Sequence, residues 1–176
     1  MRFFILTGLL ACLFLPPTAG ATNRHKLLHP ADSVHLAARQ SSDVLSRAVN
    51  SLGTPYRWGG TTPEKGFDCS GLVKYAFSEI DDVELPRTSS AMARSGGKQV
   101  SRNQLQPGDL LFFRLRNRRI DHVAIYLGGN RFIHAPRRGK TVSIDTLEKP
   151  FWKRHYVMAK RVLPAIPADG PALTSR

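Results

Sequence analysis

Cysteine is scarce in this chain. The 176 residues hold two, Cys12 and Cys69, so no disulfide framework staples the fold and a cysteine-rich zinc module is excluded. Acidic residues are also few, 13 against 26 lysines and arginines. The resulting net charge of +13 draws the chain to polyanions, whether nucleic acid, anionic lipid or an anionic wall polymer. A long uncharged run is missing as well: residues 3–15 fall short of the ~20 residues that cross a bilayer, which excludes a permanent membrane anchor there.

The remaining composition, 41% hydrophobic and 22% charged, is that of an ordinary globular protein, and the length suits one domain. The start is specialised. Met1-Arg2, the apolar run, Pro16-Pro17 and Ala19-Gly20-Ala21 form a basic, apolar and A-x-A succession, which predicts a secretory signal peptide over 1–21. Leu9-Leu10-Ala11-Cys12 also loosely matches a lipobox, whose cysteine would be lipidated. On either reading the chain is exported, to the periplasm, and the folded part keeps Cys69 alone. A mobile lead-in over 22–42, a domain over 43–163 and a flexible tail over 164–176 complete the organisation.

Val44, Leu45, Ala48, Val49 and Leu52 predict a helix over 43–52, capped by Ser41 or Ser42 and closed by Gly53. A Gly- and Pro-rich loop follows, carrying Tyr56 and Trp58. A second helix is expected over 69–78 with Asp68 as its cap, and a short third over 88–94. Strand patterns then take over at 109–115, 122–127, 131–135, 141–145 and 155–163. Helices first and strands after predict an α+β domain with an antiparallel sheet.

A thiol attacks as thiolate and needs help to ionise near neutral pH. With Asp68 as cap, Cys69 falls in the first helical turn, where unpaired N–H groups and the helix dipole favour an anion. The bland alternative is a core cysteine on the stripe of Val73 and Ala76. A base is needed too. Alternation places His122 on the strand face opposite Val123, Ile125 and Leu127. With a three-residue loop at 128–130, Leu127 pairs with Arg131, Tyr126 with Phe132, Ile125 with Ile133 and Ala124 with His134, bringing His134 to the His122 face. Nucleophile, base and orienter are then Cys69, His122 and His134. A zinc site of these three with Asp121 is the rival, without the usual short ligand spacings.

Tyr56-Arg57-Trp58-Gly59-Gly60, Phe67-Asp68-Cys69-Ser70-Gly71-Leu72-Val73, Leu85-Pro86-Arg87-Thr88, Pro107-Gly108-Asp109-Leu110, Asp121-His122-Val123-Ala124-Ile125-Tyr126-Leu127-Gly128 and Phe132-Ile133-His134-Ala135 stand in fixed order over roughly 44–163. This series resembles the NlpC family of bacterial cell-wall cysteine peptidases. Pro150-Phe151-Trp152-Lys153-Arg154 and Ala159-Lys160-Arg161-Val162 resemble the small Gram-negative Spr-type murein endopeptidases in particular. The resemblance implies a papain-like fold, a Cys69-His122-His134 triad without metal or cofactor, and cleavage of peptidoglycan stem peptides or their cross-links. It further implies a substrate cleft lined by Tyr56, Asp68, Ser70 and Arg87, with Tyr56 as a donor to the oxyanion and Arg87 meeting a substrate carboxylate. No segment before residue 43 is long enough for a separate wall-binding module, so the scissile bond stays open.

Basic clusters flank the proposed site: Arg114, Arg116, Arg118 and Arg119 on one side, Arg137, Arg138 and Lys140 on the other. They suit an anionic wall or membrane surface. Export and the lack of a nucleic-acid-binding motif argue against a nucleic acid partner. Two other functions compete: an amidase or acyltransferase using the same Cys-His pair on a different wall or lipid bond, and a non-catalytic wall-binding protein. The oligomeric state is not legible.

Overall fold

A computed structural model describes residues 30–116 and 118–165. The expected signal peptide, Cys12 and most of the expected tail lie outside them.

Helix α1, Pro30–Asn50, begins well before residue 43, so much of the expected lead-in is helical. Ala37, Ser41, Val44 and Ala48 form its buried stripe at helical spacing, while Val49 and Leu52, read as core, are about 40% exposed. Small and polar residues occupy the first half of that stripe and hide its period. Ser41 is no cap: it lies inside the helix and its hydroxyl donates to the Pro107 carbonyl at 2.7 Å.

A two-stranded hairpin, β1 (Thr61–Thr62) and β2 (Gly66–Phe67), leads into α2, Cys69–Phe77, and α3, Ser89–Arg94. The caps are Asp68 and Thr88, each accepting a hydrogen bond from the backbone N–H three residues on. Then come β3 (Lys98–Val100), β4 (Leu110–Phe113), β5 (His122–Gly128), β6 (Arg131–His134), β7 (Ser143–Thr146), α4 (Pro150–His155) and β8 (Tyr156–Arg161). They build one antiparallel sheet in the order β3-β8-β4-β5-β6-β7. The α+β expectation holds. β3 and α4 were not legible from strand patterning.

The β5–β6 register matches expectation at Ile125 with Ile133 and Tyr126 with Phe132. Nearer the turn it slips, and Gly128 rather than Leu127 pairs with Arg131. Gly128, Gly129 and Asn130 all have positive φ, which suits a tight turn with a bulge.

Both faces of the sheet are buried. Leu110, Phe112, Val123, Ile125 and Ile133 pack under α1 and α2. Leu111, Phe113, Ala124, Tyr126 and Phe132 form a second cluster with Trp152 of α4. His122 and His134 sit in this second layer, against Phe113, Phe132 and Trp152.

Across the sheet, Arg161 forms an ion pair with Asp109 at 2.8 Å, with side chains 11% and 2% exposed. Asp109 also accepts from the Gln106 amide at 2.7 Å, which fixes the turn into β4. Replacing Asp109 with Ala leaves a buried guanidinium without its counter-charge, a loss of about 3 to 5 kcal/mol. Urea unfolding of the purified variant checks this, and a loss below about 1 kcal/mol contradicts it.

Candidate active site

Helix α2, which begins at Cys69, is set by its first turn. Asp68 Oδ1 accepts from the Gly71 amide at 2.7 Å and from the Ser70 hydroxyl at 3.1 Å, and Oδ2 accepts from the Gly59 amide at 3.0 Å. One carboxylate thus caps α2 and ties the Tyr56–Gly60 loop to it. That closeness requires glycine: a Cβ on Gly71 would stand 1.9 Å from the Gly60 carbonyl oxygen. Any side chain there drives the loop off the helix.

Arg87 completes the clamp. Its guanidinium reaches Asp68 Oδ2 at 2.6 Å and Oδ1 at 3.0 Å, and Ser70 Oγ at 2.8 Å. The fork expected to meet a substrate carboxylate therefore grips the cap, although Arg87 remains about 39% exposed at the cleft wall.

Tyr56, Asp68, Cys69, Ser70, Arg87 and His122 line one cleft of about 750 Å³. His134 lies behind His122, with His122 Nε2 and His134 Nδ1 2.9 Å apart and both residues 2% exposed. Since Nε2 is engaged with His134, Nδ1 is the nitrogen that His122 offers to the cleft. The chain brings the three together across distant elements: Cys69 at the start of α2, His122 at the start of β5, His134 at the end of β6.

Burial pushes the Cys69 thiol up to about 11, against hydrogen bonding from the backbone of Val123, Ser70 and Cys69 itself, which favours the thiolate. His122 is held well below the usual imidazole range, first by burial and then by His134. His134 falls to about 4 through burial, opposed by Asp145. All three shifts leave the proton on sulfur at rest, so the pair is a neutral thiol and imidazole. Tyr56 is also raised, first by burial and then by the charge that Cys69 carries once ionised and by Asp68, so its hydroxyl stays a hydrogen-bond donor.

Several lining residues were not singled out from sequence. Trp58, 82% exposed, and Phe151, 50% exposed, face the cleft with Leu115 and Pro136. The Gly- and Pro-rich loop carrying Trp58 had its aromatics as a signal for a site wall, and Phe151 entered only through the resemblance of residues 150–154. Arg116, Arg137 and Arg138 of the basic clusters also line the cleft. Asp121 holds the first cluster's loop by accepting from the amides of Leu115 and Arg116 at 2.7 and 2.9 Å. Among the described residues, no three His, Cys, Asp or Glu groups converge as a metal-ligand set.

A thiol at a helix N-terminus, sharing a cleft with an imidazole on an antiparallel sheet, is the arrangement of a papain-like thiol hydrolase. Residues 53–161 match the NlpC/P60 family, and the chain belongs to it. It is 48% identical over 122 residues to the probable endopeptidase YafL of Escherichia coli K12, covering 68% of this chain and 49% of YafL, so it spans about half that relative's length. It is 37% identical over 180 residues to the murein DD-endopeptidase MepS/murein LD-carboxypeptidase of the same organism, covering 91% of this chain and 94% of MepS. Among solved structures, a lipoprotein-like NLP/P60 family protein from Staphylococcus aureus superposes with a TM-score of 0.64 at 33% identity, covering 71% of this chain and 42% of that one.

Proposed function

We propose that this chain is an exported cysteine endopeptidase of peptidoglycan that hydrolyses stem peptides or their cross-links. The observation that carries the reading is the 2.9 Å His122–His134 contact behind a cleft lined by His122 and Cys69, in a chain of the NlpC/P60 family. The names of YafL and MepS support the substrate class, and the signal-like start supports export to the periplasm, with or without lipidation at Cys12.

The steps follow from the resting charges. As the thiol sulfur attacks a peptide carbonyl, His122 Nδ1 takes its proton, and His134 steadies the imidazolium. The amides of the first turn of α2 and the Tyr56 hydroxyl meet the developing oxyanion. His122 then gives the proton to the leaving amine, and a water activated by the same ring hydrolyses the thioester. Asp68, Ser70 and Arg87 hold the wall against which the acyl part lies. Arg116, Arg137 and Arg138 at the rim suit the carboxylates of a wall polymer.

Digestion of purified sacculi, followed by mass spectrometry of the products, tests this. Cross-linked dimers should fall to monomers or shortened stems, thiol alkylation should stop the reaction, and EDTA should leave it unchanged. Products cut at the glycan–peptide amide would instead favour an amidase, and binding without products a non-catalytic protein.

A further inference from the structure

Behind the histidines lies a group of side chains that the cleft chemistry above leaves unused. Trp152 on α4 is buried, and its indole stacks on His122 with ring centroids 5.8 Å apart and planes inclined by 27°. The same indole stands edge-on to His134 at 5.0 Å and 83°. Contacts with Phe113 and Phe132 at 5.0 and 5.1 Å would alone make it core filler. Its nitrogen shows a second purpose. Nε1 donates a 2.6 Å hydrogen bond to Asp145 Oδ2 on β7, and Asp145 Oδ1 is held by Lys149 Nζ and by the Thr146 amide, each at 2.8 Å. The plate under His122 is therefore anchored by a charge-assisted bond.

We propose that Trp152 and Asp145 are positioning residues for the thiol chemistry: the anchored indole holds the His122 ring toward Cys69, and its π face stabilises the imidazolium formed in turnover. This rests on Cys69 and His122 being the nucleophile and base. In the step concerned, the S–H bond of Cys69 breaks, the proton goes to His122 Nδ1, and the electron pair stays on sulfur, so a neutral pair becomes thiolate and imidazolium with no other reactant.

The need for such support follows from the setting. His122 is enclosed by Phe113, His134 and Trp152 on the side away from the cleft and is only 2% exposed, so its positive form gains little from water. An aromatic face within ~6 Å attracts a cation through the ring quadrupole, and more strongly where both are desolvated. The charged and titratable groups acting on the rings are His134 on His122, and Asp145 and Lys149 on His134, with Cys69 across the cleft. Of the two charges on His134, Asp145 has the larger influence, so the pair's net effect favours positive charge at His134.

The test compares Trp152→Leu, which removes the face, with Trp152→Phe, which keeps a ring but not the N–H, and Asp145→Ala, which removes the anchor. The readouts are the rate of Cys69 alkylation by iodoacetamide across pH and kcat/KM for a soluble stem peptide. In Trp152→Leu, alkylation at neutral pH should fall roughly twofold to thirtyfold, and the thiol should begin to react only at higher pH. Trp152→Phe and Asp145→Ala should show smaller shifts in the same direction. Because both cut one bond, the double variant should be no worse than the worse single. A merely structural tryptophan would lower the melting temperature and leave the alkylation profile unmoved. That result, in whichever of the variants fold, overturns the proposal. Alkylation requires no wall substrate, so an intact alkylation shift without sacculus cleavage would fault the functional reading and spare this one.

Discussion

Cys69→Ala and Cys69→Ser abolish hydrolysis of sacculi, a loss of roughly ten-thousandfold or more, and leave the fold within about 1 kcal/mol of wild type. Alanine has no nucleophile. Serine keeps one in nearly the same place, but a hydroxyl is far less acidic than even this raised thiol, and His122 is a weak base because burial opposes its positive form. The proton that leaves sulfur has nowhere comparable to go from oxygen. The small effect on stability follows from position: Cys69 is only partly buried at the cleft, whereas Leu72, Val73 and Ala76 of the same helix are fully enclosed. Product analysis beside thermal melts separates the two effects. Wild-type-like turnover by either variant would end the cysteine-peptidase reading, and a large stability loss with partial activity would return Cys69 to the core.

Asp68, Cys69 and His122 were legible because their signals are local. Asp68 before Cys69 is a cap followed by a helix stripe, and the alternation from His122 to Leu127 assigns a face within six residues. What failed was anything decided by distant partners. Arg87 grips Asp68 nineteen positions away, and Trp152 reaches Asp145 on another element; neither pairing leaves a periodic trace. The first half of α1 escaped because its buried stripe begins with Ala37 and Ser41, which no hydrophobic period registers. The second buried layer did leave a trace: Leu110-Leu111-Phe112-Phe113 is an unbroken apolar run, the pattern of a strand covered on both faces. Read so, it would have shown that the face carrying His122 is not open to water. That burial governs the chemistry, since it keeps both histidines neutral and makes the resting pair uncharged.

His122→Ala is nearly as damaging as loss of Cys69, roughly a ten-thousandfold loss, whereas His134→Gln costs roughly tenfold to a hundredfold. The difference lies in what each ring does. His122 takes and returns the proton, and the cleft's carboxylates are already engaged, Asp68 with the Gly59 and Gly71 amides and Arg87, Asp121 with the Leu115 and Arg116 amides. A base at His122 Nδ1 requires the tautomer in which His122 Nε2 carries the proton and His134 Nδ1, 2.9 Å away, accepts the hydrogen bond. A glutamine carbonyl can still accept that bond, so the tautomer survives with poorer alignment. The pH profile follows with a definite sign. Burial and His134 hold His122 well below the ordinary value of about 6.5, so wild-type kcat/KM should show no acid limb near 6.5, and its alkaline limit lies toward the Cys69 value of about 11. Below about pH 4, where His134 itself takes up a proton, its charge adds to burial in holding His122 down, so His134→Gln should move the acid limb up in pH while burial still keeps it below 6.5. Stability changes over part of the same range. Below about 6.5 the unfolded chain binds protons at both histidines that the folded chain refuses, so stability falls as pH drops, down to about 4 for His134. Rates must therefore be read beside melts at each pH. An acid limb at 6.5 in the wild type, or equal and mild losses at both histidines, would contradict the assignment of base and orienter.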